Sequence, residues 1–395
     1  MRILVLTPFL PDEEASHGGG SYIGAICKGL RQRAELGLIH LQHQGEQTAD
    51  SNTWSWVGSA PYEGSPGNRG HRLRMLWRWR RHPLLVAKYR TAAIPSLIAR
   101  AKREFQPDVA LVEMAQMAQY LPSLKGLTTI LTDHEAGQPA NAGTGFGAAA
   151  DRRDRRLWSD YVQRYYPLAT GVQAVTSHDA DILSAALERE VWVRPAALKA
   201  PRGACAPGSA PPVALFLGDY SHQPNHEAAQ RLVEAIWPRI RSRCPEAELL
   251  LAGPHEAPIA HLDGRDGVQV LGFVEDLQAL LGSARLLLAP LWSGGGFRVK
   301  NATALLHGLP VVTNSLGARG CEAPEPACLV REAPASLADA AAELLCSPDT
   351  AGEAGALARS WAADHFSADK VADLQLHHLS RLRGRSPRAG GATTG

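Results

Sequence analysis

The sequence predicts an α/β protein built from two Rossmann-like domains facing across a deep cleft, and three observations predict it. Short apolar runs suited to buried parallel strands alternate with segments of helical period along most of the chain. The alternation fails at Arg194–Pro212, a stretch rich in Pro, Ala and Gly that reads as a linker. A chain of 395 residues is too long for one ordinary core and fits two α/β domains. The expected division is a first domain over 1–193, a linker over 194–212 and a second domain over 213–365. A closing helix over 366–380 and a flexible tail over 381–395 complete it.

Composition excludes several classes. Apolar content of 45% with 20% charged residues is that of a globular chain, not a disordered or fibrous one. The six cysteines are scattered without a CxxC pair, so neither a zinc site nor a disulfide framework is expected, and a reducing compartment is the default. The start, MRILVLTPFLPDEE, reads as a first strand and not a signal peptide, and no apolar run is long enough to span a membrane. These features lead us to expect a cytoplasmic protein. The net charge of +2 is uninformative, but its distribution is not: Gly64–Arg103 contains no acidic residue.

In chain order, Ile3–Leu6 is the first strand, followed by a long loop carrying Gly18, Gly19 and Gly20. Tyr22–Leu36 is then expected as an amphipathic helix. The spacing does not fit the dinucleotide fingerprint, so NAD is not expected, although the loop can let backbone approach a ligand. Leu38–Gln42, Pro107–Val112, Thr128–Thr132 and Gly171–Thr176 read as further strands, and Asp50–Arg69 resists assignment. Thr128–Thr132 delivers Asp133, His134 and Glu135 to a strand's carboxyl end, where α/β proteins place ligands. Ser177 is the expected cap of the next helix. Within the basic stretch, Leu73, Leu76, Trp77, Leu84, Leu85 and Tyr89 are expected to form an apolar side broken at Pro83. Arginine interleaved with tryptophan suits an anionic bilayer or nucleic-acid phosphates, or else a surface helix with its tryptophans turned inward and its arginines solvated.

After the linker, Val213–Leu217, Glu248–Ala252, Val268–Leu271 and Leu286–Ala289 continue as strands. A helix from Pro224 to about Ile240 lies between the first two. The most informative segment is Leu286–Thr313. There a strand leads into the glycine turn Ser293–Gly296, a helix from Arg298 to His307, a stop at Gly308 and a new strand at Pro310. Such a turn gathers backbone N–H groups at a helix N-terminus, and Arg298 and Lys300 add positive charge, so an anion is the expected ligand. Gly296, Lys300, Thr303 and His307 share one helix face.

Four blocks in register carry a resemblance: FLGDYSHQPNHEAAQRLVEAIWPRI, LLLAGP, VQVLGFVEDL and APLWSGGGFRVKNATALLHGLPVVT. TDH at 132–134 and AVTSHDADIL at 174–183 add looser support. The chain resembles GT-B glycosyltransferases, specifically the retaining glycosyltransferase family 4 (glycosyl transferases group 1). That resemblance implies transfer of a hexose-type sugar from a UDP-, GDP- or dTDP-linked donor to a hydroxyl acceptor, with retention and without a metal or other cofactor. It places the donor diphosphate against Gly294, Gly295 and Gly296, neutralised by Arg298 or Lys300, with Gly18, Gly19 and Gly20 approaching from the other domain. Gly272, Phe273 and Val274 would hold the base. Thr303 and His222 would lie by the base or sugar, and His134 with Asp133 would stand at the catalytic centre.

Three departures from the family matter, one being Pro195–Leu198 in place of its asparagine–glycine–valine turn. The family also usually carries glutamates at the positions of Gly295 and Thr303, and a basic residue in the loop near His222 and Gln223. A nucleotide-sugar epimerase, a sugar phosphorylase of the same fold and a degenerate partner subunit therefore stay open. The acceptor would be a small molecule or a lipid-linked glycan. Peripheral contact of the basic stretch with an anionic membrane, with Trp77 and Trp79 entering it, is a further expectation, and nucleic acid is not an expected partner.

Overall fold

The computed structural model describes every residue except 14, 16, 17, 47, 48, 51, 65–68, 137–143 and 386–395. Part of the glycine-rich loop after His134 and most of the expected tail lie outside the described residues. The chain forms two compact units, Met1–Ala197 together with the chain from Ala368 onward, and Leu198–Ser367. It has the α/β class expected, with two parallel sheets flanked by helices. The transition falls inside the Pro/Ala/Gly-rich stretch, at 197/198.

The first unit is a fully parallel sheet of seven strands: β1 (Arg2–Thr7), β2 (Glu35–Gln42), β3 (Trp56–Pro61), β4 (Val109–Glu113), β5 (Thr128–Asp133), β6 (Gly171–Ala174) and β7 (Trp192–Val193). Their order is β3-β2-β1-β4-β5-β6-β7. Leu4, Leu6, Ile39, Val112 and Leu131 are buried on it, as the continuous apolar runs require when helices cover both faces. The unassigned Asp50–Arg69 stretch contains β3, an edge strand whose mixed WVGSAP composition hid it.

The helix expected from Tyr22 begins at Gly18, so the three glycines form its first turn and not a loop. Further along it, a Cβ on Gly29 would stand 2.4 Å from the Ala368 carbonyl oxygen. This close approach seats the last helix, Ala368–Arg385, in the first unit. Arg33 fastens it through Asp369 at 2.9 Å and Asp373 at 2.7 Å. At the helix Ser177–Leu187, the cap is Thr176, whose hydroxyl accepts from the Asp179 N–H, and not Ser177.

The second unit carries six parallel strands: β8 (Val213–Leu217), β9 (Glu248–Ala252), β10 (Val268–Gly272), β11 (Leu286–Leu288), β12 (Val311–Thr313) and β13 (Cys328–Val330). Their order is β10-β9-β8-β11-β12-β13. The expected helix from Pro224 comes in pieces, Gln223–Arg231, a π-turn at Leu232–Ile236 and Trp237–Arg243. Pro238 lacks an N–H to continue the α pattern, which accounts for the widened turn just before it. Gly308 stops the helix Val299–His307 as expected, in the left-handed conformation at φ +83°.

Candidate functional site

In the second unit the strand order reverses between β8 and β11. The chain leaves β8 toward one side of the sheet and later returns to its other side at β11. At such a reversal the loops after the two strands run to opposite sides, and open α/β sheets take ligands at that carboxyl edge. One loop is 218–222, which leads into the helix Gln223–Arg231. The other is 289–298, which carries the glycine turn and leads into the helix Val299–His307.

The glycine turn is held from beneath. Gly294 and Gly296 have φ of +98° and +73°, a region that side chains other than glycine's rarely adopt. The buried Arg298 donates from Nη2 to the Gly294 carbonyl and from Nη1 to the Gly295 carbonyl, each at 2.9 Å. Its Nε donates to the Leu316 carbonyl at 3.1 Å. In a trans peptide the C=O and N–H point in opposite directions, so the N–H groups of Gly295 and Gly296 turn away from the guanidinium. At the strand end, Asn314 accepts from the Leu291 N–H at 3.0 Å and donates to its carbonyl at 2.6 Å.

Lys300 lies in the first turn of the following helix and reaches the helix that follows the other loop. Its Nζ donates to Asn225 Oδ1 at 2.7 Å and lies 4.5 Å from the centre of the Phe216 ring. Asn225 Nδ2 donates in turn to the Asp219 carbonyl at 2.8 Å, so the cation is tied to both sides of the strand reversal. Burial, and secondarily the charge of Arg298, push the Lys300 ammonium down to about 7. By sequence alone Arg298 and Lys300 share one role; in the fold they occupy separate environments. Arg298 braces the turn, and Lys300 is a cation at its mouth that an added anion would favour in its charged form.

Arg298→Ala should accordingly weaken UDP and uridine binding together and lower the thermal midpoint. With three bonds to backbone carbonyls lost, a cost of roughly 2–4 kcal/mol is expected. A calorimetric loss confined to UDP would show instead that Arg298 touches the diphosphate.

The remaining expected positions of this unit fall around the same edge. Gly272, at φ +65°, ends β10, and Phe273 beyond it is 70% exposed, with Val274 half-buried. Two strand spacings, about 10 Å, separate β10 from β8. Thr303 is half-buried one turn beyond Lys300, and its carbonyl accepts from His307 Nδ1 at 2.8 Å. His222 is exposed at the start of the helix Gln223–Arg231, 3.7 Å from Asp219. Asn225 and Asn314 were missed by sequence reasoning. In the sequence Asn225 is only one residue of the helix expected from Pro224.

In the first unit, His134 and Asp133 belong to a buried polar network at the carboxyl ends of β4 and β5. Burial, then Glu113, hold the Tyr22 phenol protonated; its hydroxyl lies 2.5 Å from His134 Nδ1. The pairing that satisfies both groups has Tyr22 donating to Nδ1 and His134 Nε2–H donating to Glu113 Oε2 at 3.1 Å. Arg194 Nη2 and Thr132 Oγ1 also donate to Glu113, at 2.9 and 3.1 Å. Burial alone would push the Glu113 carboxyl up, but Arg194 and the bonds from His134 and Thr132 bring it below its ordinary range.

Asp133 spends both oxygens inside the unit, on the Tyr166 hydroxyl at 2.5 Å and the Glu135 N–H at 2.8 Å, and burial pushes its carboxyl up. Both ring nitrogens of His134 are thus occupied. Gly18–Gly20 lie nearby in sequence to Tyr22, and a Cβ on Gly19 would meet Phe9 at 3.1 Å and Met114 at 3.6 Å. Sequence reasoning missed Glu113, Arg194 and Tyr22; the one signal was an acid ending the apolar strand VALVE. Among the described residues no group of His, Cys, Asp and Glu is arranged to hold a metal ion.

Residues 211–347 match the family model described as Glycosyl transferases group 1. The match spans the strand reversal, the glycine turn and Lys300. Over those residues the second unit is similar to group 1 glycosyltransferases. No curated protein matches the chain. Among solved structures it is similar over its whole length to sucrose-phosphate synthase from Thermosynechococcus elongatus, at 15% identity and a TM-score of 0.69, covering 98% of this chain and 100% of that one. Anabaena HepE in complex with UDP is 15% identical with a TM-score of 0.63, covering 96% and 100%. An α,α-trehalose-phosphate synthase (UDP-forming) from Burkholderia vietnamiensis is 12% identical with a TM-score of 0.63, covering 98% of each chain. At these identities the likeness establishes the GT-B fold, while the similarity to group 1 glycosyltransferases lies within the second unit.

Proposed function

We propose that the protein transfers a hexose-type sugar from a nucleotide-sugar donor, a UDP-sugar first among the candidates, to a hydroxyl acceptor with retention. The observation that carries this reading is the pairing of an Arg298-braced glycine turn with Lys300 at the strand reversal of a unit similar to group 1 glycosyltransferases. Similarity to a UDP complex and to a UDP-forming synthase supports the choice of nucleotide.

Glycosyl transfer breaks the bond between the anomeric carbon and a diphosphate oxygen, so negative charge grows on the leaving group. The Gly295 and Gly296 N–H groups and the Lys300 ammonium supply fixed donors for that charge. The acceptor oxygen bonds to the anomeric carbon on the face the leaving group vacates, and its proton passes to the departing diphosphate. Phe273 gives the base an exposed aromatic surface. Thr303 supplies a hydroxyl where a glutamate is usual, which leaves the sugar without a carboxylate contact from that position. His134, held by Tyr22 and Glu113, fixes the first unit's strand end and acts through position rather than as a base.

Incubation with UDP-, GDP- and dTDP-sugars tests the proposal, with nucleoside diphosphate release as the readout. Slow release from a UDP-sugar, accelerated by a hydroxyl acceptor, is expected. Donor isomerisation without release would make the protein an epimerase, and release only with inorganic phosphate a phosphorylase. Binding without turnover of any donor would leave a degenerate subunit.

A further inference from the structure

The helix Arg69–Arg78 turns its apolar side outward. Leu73, Leu76 and Trp77 fall on one face by their spacing of three and four residues, and Leu73 and Trp77 are 70% and 68% exposed. On the opposite side His71 is buried and Met75 and Arg78 are half-buried, with Arg78 donating to the Arg90 carbonyl at 2.6 Å. A surface helix that contributes only to a core shows the reverse arrangement.

Positive charge frames the stripe. Arg72 and Arg74 are exposed beside it on the helix, and Arg80 and Arg81 are exposed in the turn that follows. Arg74 is paired with Glu63 at 2.9 Å, and no acidic residue occurs from Gly64 through Arg103. Trp79 differs from Trp77: its indole donates to the buried Asp154 at 2.6 Å, and Arg153 lies over its ring at 5.3 Å. Phe146, 61% exposed, lies 5.4 Å from the Trp79 ring and extends the apolar surface past the helix end.

We infer that this face docks the protein on an anionic lipid bilayer, with Leu73, Leu76 and Trp77 entering the interfacial layer and Arg72, Arg80 and Arg81 on lipid phosphates. Charge decides the occupant. A second copy of the chain packed on the same face would set these arginines against their own counterparts. Nucleic acid would attract the arginines but offers nothing to the outward leucines. A bilayer surface with acidic headgroups satisfies both at once. The inference stands apart from the donor reading, since none of these residues belongs to the second unit.

Flotation with vesicles of phosphatidylcholine alone, and with equal parts phosphatidylglycerol, at physiological salt tests it. Binding is expected only with the acidic lipid. The pair Leu73→Ser and Trp77→Ser should abolish flotation. Arg80→Glu with Arg81→Glu should weaken it by at least about fivefold per arginine. Arg103→Glu with Lys125→Glu, an equal change of charge elsewhere, should leave most of it. Unchanged thermal midpoints and unchanged release from a UDP-sugar would show that the variants are folded. Failure of wild-type protein to float with acidic vesicles overturns the inference, as does equal flotation of all variants. A concentration-dependent dimer dispersed by Trp77→Ser would assign the face to a second copy instead. Flotation without turnover of any donor would sink the transferase reading and leave this one standing.

Discussion

Replacing Lys300 by methionine is expected to weaken UDP binding by roughly 10- to 150-fold and leave uridine binding within about twofold, as for the loss of a charge-assisted contact. Turnover should fall further, by about 100-fold or more, because the same cation meets charge that grows as the donor bond breaks. The ammonium is pushed down to about 7 by burial. An anion beside it favours the charged form, so binding above pH 7 takes up a proton. UDP affinity should therefore decline as pH rises from 7 to 9 in the wild type. The decline should be absent in Lys300→Met and muted in Lys300→Arg, whose cation does not titrate. Equal losses for UDP and uridine would mean that Lys300 only holds Asn225 and the 218–222 loop in place.

The second large effect is on stability. Glu113→Ala is expected to cost about 3–5 kcal/mol, because it strands the buried Arg194 cation and removes the partner of His134 and Thr132. Adding Arg194→Met to Glu113→Gln should recover part of the loss, since no unpaired charge is then left. Native-state hydrogen exchange of β4 and β5 amides measures both, and avoids treating a two-unit chain as one cooperative transition. The sign with pH follows from the depressed Glu113 carboxyl: its contribution is complete above the unfolded carboxylate range and is lost as pH falls through the folded value. Unchanged protection in Glu113→Ala would mean that water replaces the carboxylate and the network contributes little.

The parts of the fold legible in the sequence were those where burial is two-sided and the apolar run is continuous. β1, β5, β8 and β9 are of this kind, and so is the Gly308 stop, where a left-handed residue is needed. β3, β7 and β13 were missed because each is short or of mixed composition. Gly18–Gly20 were read as loop on propensity, yet tertiary packing draws them into a helix.

The site divides in the same way. A glycine turn beside Lys300 is a local pattern and can be seen in a line of letters. Arg298 looked equally cationic, and only the fold shows its guanidinium facing the carbonyls of its own loop. Trp77 and Trp79 are two residues apart and have opposite fates: Trp79 meets Asp154 from a distant helix, while Trp77 stays exposed among the described residues. The Tyr22, Glu113, His134 and Arg194 network joins four separated segments, and no spacing rule brings such residues together.

Hydrogen–deuterium exchange of the whole chain with and without UDP tests the central claim most directly, because it locates the nucleotide without requiring turnover. Protection is expected in the glycine turn and the first turn after it, 293–301, and in the 218–226 segment that Asn225 ties to Lys300. It should be lost in those segments when uridine replaces UDP. UDP-dependent protection absent from both segments and present elsewhere would contradict the account.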